Sequence, residues 1–405
     1  MKSKLLFLLL LLGSSYITAQ TVIENPPFET RQGSIHTISK IELSPTETRL
    51  TIRTVFRPQW WTSLDSLTYI YAPESKKQLY PLRIEGRKFG EQVTTPASGI
   101  IEDDCVITYP PLPEGTTRID WIDDNLNSET NTYGILLVKP QETKEQASLR
   151  KIHGNWQQAD AQNGWDIGIY DSLAIMDNRF WKYDLCRKQG KKFKLNLKDE
   201  TGEQCLLEIT QEKDGNLCIG KNGGKANKYI RAGRPQRNYA ATTAATAPQT
   251  AFFRKDTVHI RGFLDGYSPK LGFTTVLIYT DNHITNEGTP AVVTIHPDGR
   301  FESDFVVNYP GVHHLSMGNN WMTFYIRPGE TLMLYINWED HLDYLRQRRL
   351  KPMLTETLYM GPSSSINQEL MPCEPLFSKD YHIIQNACKT LTPLSLIHIS
   401  EPTRP

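Results

Sequence analysis

The sequence predicts a mainly β protein: two or three sandwich- or barrel-like β domains in series, followed by a short helical C-terminal stub. Two observations carry that expectation. Short segments alternate between apolar and polar residues, which is the period of a half-buried strand. Turn signals recur between them at Glu114-Gly115, Asp214-Gly215 and Asp298-Gly299, a pattern of many short strands that suits sandwiches and barrels.

Taken in order, residues 1–19 read as a cleavable export signal. Lys2 and Lys4 precede the apolar Leu5–Leu12, and Ile17-Thr18-Ala19 supplies a small-residue cleavage context. The apolar run is far shorter than the ~20 residues of a membrane-spanning helix, so no transmembrane segment is expected after cleavage. Residues 21–144 are expected to form a sandwich-like domain, in which Leu50, Ile52, Thr54 and Phe56 share one strand face. A polar run from Lys139 to Ala147 marks its end.

Residues 147–232 are expected to be β-rich, and their Gly154-Asn155-Trp156 opening weakly resembles that of lipocalin-like barrels. Here Phe193, Leu195 and Leu197 alternate with Lys192, Lys194 and Lys198. The Ala/Thr/Pro-rich segment 233–251 cannot build a core and reads as a linker. Residues 252–360 are expected to form a small β domain, with Leu332, Leu334, Ile336 and Trp338 alternating after the turn Arg327-Pro328-Gly329-Glu330. After Asp340 the period changes: Leu342, Leu345 and Leu350, then Ile383, Ile384 and Ala387, read as helices. Residues 361–393 are thus a helical lead-in, and other helices are expected mainly in 147–232.

The last residues, 394–405, read differently. Back-translated with ordinary codons, Leu394–Ile399 can be written CTG TCT CTT ATA CAC ATC. That string resembles the transposase mosaic end used to prepare sequencing libraries, and Ser400–Arg404 resemble the adapter that follows it. The natural protein is therefore expected to be interrupted near Pro393, with 394–405 an adapter-derived tail.

Composition excludes several classes. The 45 basic and 45 acidic residues cancel, and no basic stripe follows a phosphate backbone, so no nucleic-acid partner is expected. Six cysteines (Cys105, Cys186, Cys205, Cys218, Cys373 and Cys388) include no Cys-x-x-Cys, which removes both a thioredoxin-type couple and a zinc knuckle. If Asp214-Gly215 is a two-residue hairpin turn, Cys218 faces Gln211 rather than Cys205. Mostly buried free thiols are expected.

No catalytic, cofactor-binding or metal-binding residue is expected. His313 and His314 fall on opposite faces of a strand, so they do not chelate one ion. Asp103-Asp104 and Asp123-Asp124 resemble catalytic acid pairs, but neighbouring strand residues diverge and loop acids are solvated. There is no Gly-x-Ser-x-Gly elbow and no phosphate-binding loop; Asn222-Gly223-Gly224-Lys225 reads as a turn. The candidate ligand-binding residues are five tryptophans. Trp60 and Trp61, with Arg57, would suit a sugar ring, although strand alternation allows only one of them to face outward. Trp156, Trp165 and Trp181, with Phe180, would line a ligand cavity or simply fill a core.

Several motifs in order carry a family resemblance. They are Val22-Ile23-Glu24-Asn25-Pro26, the Arg57-Pro58-Gln59-Trp60-Trp61 corner and Tyr109-Pro110-Pro111-Leu112-Pro113 before Ile119-Asp120-Trp121-Ile122. They continue with Gly154-Asn155-Trp156, the run from Gly168 to Ile175 and Asn178-Arg179-Phe180-Trp181-Lys182-Tyr183. Asp298-Gly299-Arg300-Phe301, the run from Phe324 to Glu330, Tyr359-Met360-Gly361-Pro362 and Ile366-Asn367-Gln368-Glu369-Leu370 complete the series. From Thr21 to Pro393 the chain resembles the non-catalytic region of exported TlpA-like thiol–disulfide oxidoreductases of Bacteroides-type bacteria, with 252–360 similar to their small β domain.

The resemblance implies a periplasmic location, thiol/disulfide protein partners and a following thioredoxin-like domain whose Cys-x-x-Cys is activated by a lowered thiol pKa. No catalytic residue of that family carries over, because this chain has no such motif; Cys373 and Cys388 are no substitute. As written, the chain is not expected to reduce disulfides. The other readings are a stand-alone envelope module that binds a glycan or small apolar ligand, and a purely structural β protein.

Overall fold

The computed structural model describes residues 21–123, 130–138, 143–160, 164–233, 253–282, 287–317, 320–346 and 357–370. Cys373, Cys388, the 234–251 part of the linker, most of the helical lead-in, the leader and the 394–405 tail lie outside them. The mainly β expectation holds: strands dominate, and the helices among the described residues are few and short. The chain falls into two compact units, 1–140 and 141–405.

The first unit contains β1 (Thr21–Glu24), β2 (Thr30–Arg31), β3 (His36–Leu43), β4 (Thr48–Val55), β5 (Trp61–Thr62) and β6 (Thr68–Ala72). It continues with β7 (Lys77–Leu79), β8 (Arg83–Glu85), β9 (Val93–Thr94), β10 (Ile100–Tyr109), β11 (Arg118–Asp123) and β12 (Thr132–Leu136). One five-stranded sheet runs β1-β3-β4-β10-β8, the other β2-β12-β11-β6-β7, and β5 and β9 form a small ribbon. Ile41, Leu50, Ile52 and Ile107 of the first sheet meet Ile70, Ile119, Trp121 and Ile135 of the second in one core. Burial of such faces from water is the main stabilising term of a sandwich. A polar chain crosses it: the Trp121 indole donates to Tyr109 Oη at 3.0 Å, and that hydroxyl donates onward to Thr68 Oγ1 at 3.4 Å.

In the second unit, α1 (Lys144–Leu149) opens with a capping box. Thr143 Oγ1 accepts from the Gln146 N–H, and the Gln146 side chain accepts from the Thr143 N–H. Leu149 and Ile152 then enter the barrel core. The barrel is formed by β13 (Gly154–Gln158), β14 (Ile167–Ile169), β15 (Leu173–Met176), β16 (Arg179–Gln189), β17 (Lys192–Asp199), β18 (Gln204–Gln211), β19 (Leu217–Lys221) and β20 (Asn227–Arg231). Each strand pairs antiparallel with the next, and β13 pairs with β20 to close the cylinder, which removes free edges. β17 buries every second residue, so Phe193, Leu195 and Leu197 point inward and the lysines outward.

A second β domain follows in the same unit. Its strands are β21 (Asp256–Asp265), β22 (Thr275–Asn282), β23 (Glu287–Thr294), β24 (Arg300–Val307), β25 (Gly311–Met317), β26 (Asn320–Ile326) and β27 (Thr331–Asn337). After α2 (Trp338–Arg346) come β28 (Leu358–Met360) and α3 (Ser364–Leu370). Four-stranded sheets β24-β21-β27-β28 and β23-β22-β25-β26 enclose one core, and β21 runs parallel to β27. β27 is buried on both faces. Leu332, Leu334 and Ile336 belong to the core of its own domain, whereas Met333 and Tyr335 join Trp165, Tyr170, Ile175 and Phe180 of the barrel.

Three expectations need correction. Helices do not concentrate in 147–232: that segment is almost wholly barrel, α1 reaches into it only as far as Leu149, and α2 falls inside 252–360. Trp338 does not continue the β27 alternation but begins α2. The turn at Asp214-Gly215 is not a two-residue hairpin. Glu212 and Asn216 close the ladder at 2.8 Å around three residues, with Gly215 at φ 86°, so Cys218 faces Thr210 rather than Gln211. A left-handed glycine ending a tight turn shifts the register by one.

Candidate functional site

An exposed aromatic group of the first unit is the corner after β4. Pro58 sits second and Gln59 third in a turn closed by the Trp60 N–H donating to Arg57 O at 3.2 Å, and Gln59 has φ 59°. Proline followed by a positive φ is the signature of a type II turn. Because Arg57–Trp60 is a turn and Trp61 only begins β5, strand alternation does not relate the two tryptophans. Both tryptophans face solvent, Trp60 at 40 % and Trp61 at 55 % exposure, against the expectation that one would be buried. Arg57 lies 4.9 Å from the Trp60 ring centroid and 5.8 Å from that of Phe56, and the two rings meet edge-on at 6.4 Å.

This corner is held from below. Thr95 Oγ1 donates to Arg57 O at 2.5 Å and lies 3.1 Å from Trp60 O, while the Thr95 N–H donates to Trp60 O at 2.9 Å. Trp61 pairs with Thr94 across the ribbon. Thr62, the next residue, joins a buried polar network. Arg87 donates to Asp104 Oδ2 at 2.7 Å, with side-chain exposures of 2 % and 4 %. Thr54 donates its hydroxyl to the same oxygen at 2.6 Å, so it accepts from His36 Nδ1 at 2.9 Å. In the neutral ring His36 Nε2 then accepts from Thr62 Oγ1 at 3.2 Å.

Burial, and then the Arg87 charge, hold the His36 pKa down to about 4, against a smaller opposing effect from Asp104. A bulge in β10 between Ile101 and Cys105, with Asp103 at φ 47°, aims Asp104 inward. The acid pair expected to be solvated is therefore split: Asp103 is exposed and the Asp104 carboxylate is buried. Asp123 is buried as well, and Asp124 lies outside the described residues.

The remaining tryptophans do not share one cavity. Trp156 and Trp181 are packed in the barrel core at 0 % and 3 % exposure, donating to Ile152 O at 2.9 Å and Met176 O at 3.1 Å. Arg231 lies 4.0 Å over the Trp156 ring and donates to His153 O at 2.5 Å. A Cβ on Gly154 would stand 2.0 Å from that guanidinium, and Gly154 has φ 120°, which explains the glycine two residues before Trp156. Trp165 and Phe180 lie instead in the aromatic joint between the barrel and the next β domain.

Chemically, the corner offers stacking faces and a planar cation, and the hydroxyls beside His36 are buried beneath it. Cys105, Cys186, Cys205 and Cys218 are all free, and burial pushes the Cys105 thiol up to about 12. His313 is buried between Phe305 and Phe324, and among the described residues no group of three potential ligands could hold a metal. No helix among them is long and apolar enough to cross a membrane.

No family model and no curated protein matches the chain. Among solved structures, one described as "Crystal structure of tetra-tandem repeat in extending region of large adhesion protein" aligns at 10 % identity, covering 78 % of this chain and 76 % of that chain. Its TM-score of 0.10 carries no argument about fold or role.

Proposed function

We propose that this chain is the non-catalytic, partner-positioning region of an exported thiol–disulfide oxidoreductase of the TlpA-like type. The observation that carries this reading is the aromatic joint around Tyr170 and Tyr335, which fuses the barrel and the following β domain through one apolar cluster. A joint of this kind suits a rigid scaffold. The last described element, α3, is fastened to β26 of the following β domain: Asn367 accepts from the Tyr325 N–H at 2.6 Å and donates to Tyr325 O at 2.8 Å. A domain attached beyond α3 would be presented from a fixed point. The ordered motifs from Val22 to Leu370 support the TlpA-like assignment.

On this reading the chain positions a redox domain and does no redox chemistry of its own. A dithiol couple needs two sulfurs whose Cα atoms approach within ~7 Å and a stabilised thiolate. Purified mature protein is expected to leave insulin turbidity at the dithiothreitol background. Acceleration abolished by a single Cys→Ser change would overturn the assignment. The same reading puts the mature chain in the periplasm after removal of 1–19, and recovery of uncut protein in the cytosolic fraction of its host would contradict that.

A second reading rests on the exposure of both Trp60 and Trp61 beside Arg57. Such a corner suits a glycan-binding module of the cell envelope, stacking a sugar ring on an indole face. A glycan array should then give signal with the native chain and none with Trp60→Ala/Trp61→Ala, whose fold is retained. Silence of the native chain on the array would remove this reading.

A further inference from the structure

At one end of the barrel the hairpin tips and the segment leading into β13 line a half-open hollow of about 220 Å³. Lys151 comes from the lead-in, Lys188 and Lys191 flank the β16–β17 turn at Gly190, and Lys213 belongs to the β18–β19 turn. The buried ring of Phe193 forms part of its wall, with Lys188 Nζ 5.4 Å from the ring centroid. Gln211 fastens the rim: its side-chain amide donates to Lys151 O at 3.1 Å, and its N–H donates to Lys191 O at 3.4 Å.

The charge at this mouth is lopsided. The acid in the lining is Glu212, which is bound by Lys228 at 2.9 Å and accepts from the Cys218 thiol at 3.2 Å. Asp214, at the edge, binds the same Lys228 at 3.2 Å. Lys228 thus occupies the acids from outside the hollow, and its contact holds the Glu212 carboxyl below its ordinary range. Elsewhere on the barrel, lysines do find carboxylates: Lys194 meets Glu208 at 2.7 Å and Lys221 meets Asp177 at 3.2 Å. Lys151, Lys188, Lys191 and Lys213 make no ion pair among the described residues. Four like charges around one hollow repel each other, and a low-dielectric wall such as Phe193 concentrates their field there.

We propose that this mouth binds a compact multivalent oxyanion of the phosphate or sulfate type. Lysine suits the task, since a mobile ammonium point charge can follow a tetrahedral anion without the planar match an arginine needs. The proposal is independent of the partner-positioning reading and of the glycan reading, because it uses none of their residues.

Calorimetric titration of the full chain with inorganic pyrophosphate, at near-physiological ionic strength, tests it. Saturable binding is expected. Lys188→Gln/Lys191→Gln should weaken it by at least about tenfold, while Lys182→Gln, on the outer wall, should leave it unchanged. Unaltered near-ultraviolet circular dichroism will show that the double variant is folded, as expected for exposed side chains. Sedimentation with anionic phospholipid vesicles distinguishes the source. Vesicle binding lost in the same double variant, without binding of free pyrophosphate, assigns the oxyanion to a lipid headgroup. Binding of neither probe, or binding of equal strength in the double variant, would overturn the proposal.

Discussion

The ring of Tyr170 lies on that of Tyr335, with centroids 5.6 Å apart and planes 9° from parallel. One ring belongs to the barrel and the other to β27. Phe263 adds a second contact to Tyr170 at 4.7 Å, and Trp165 meets Tyr335 at 5.9 Å. The hydroxyls are satisfied at the margin, Tyr170 by Asn155 and Tyr335 by Asp265 at 2.8 Å. Burial raises both phenol pKa values well above the ordinary range, so neither phenol ionises at physiological pH.

Removing one ring should therefore do more than open a cavity. Tyr335→Ala is expected to cost about 3–5 kcal/mol, as for other large buried aromatics. It should also split unfolding of the second unit into two transitions, one for the barrel and one for the following domain. Urea unfolding monitored by tryptophan fluorescence and circular dichroism checks this. A single coincident transition in the variant would mean that the joint does not couple the two.

The Arg87–Asp104 pair makes a second test, because a buried charge is costly mainly when its partner is removed. Arg87→Leu leaves Asp104 stranded and should destabilise the first unit by about 3–5 kcal/mol. Arg87→Leu/Asp104→Leu should recover much of that loss. Equal losses in the single and double variants, measured by chemical denaturation, would show that the pair's charge is irrelevant.

Acid sensitivity follows from His36 and His341, each held neutral by burial with a pKa lowered to about 4. The unfolded histidine, near 6.5, binds a proton that the folded one refuses. Stability is thus complete above about pH 6.5 and falls as the pH drops toward 4, at roughly 1.4 kcal/mol per pH unit for each histidine. His36→Asn should flatten the pH dependence of the first unit's urea midpoint in that window. An unchanged slope would show that His36 already takes up its proton in the fold.

Thiol reactivity should follow the same environments. Cys105 is almost fully buried with a pKa near 12, whereas Cys186 is half-buried. Iodoacetamide under native conditions should label Cys186 well before Cys105, which should react only on unfolding. Early modification of the Cys105 peptide in a mass-spectrometric time course would contradict this packing.

Much of the architecture was legible because strand period is local. Phe193, Leu195 and Leu197 point inward as their spacing requires. Trp60 and Trp61 were misread because alternation was applied to a turn, and the informative residues were Pro58 and Gln59. The tryptophans of the barrel segment share a residue type but have different neighbours. Trp156 fills the barrel, while Trp165 reaches Tyr335, far along the chain. The buried network was not legible at all: Thr54 and Asp104 meet across fifty residues, after a bulge that no local pattern marks. The basic mouth was equally hidden, since closure of the barrel brings together lysines from three separate segments.

The central claim is that these β domains position a redox domain that follows them. Sequencing the native host's genomic DNA beyond the codon for Pro393 tests it most directly. The account predicts an open reading frame that continues into a strand followed by Trp-Cys-x-x-Cys. A natural stop codon immediately after Pro393 would contradict it.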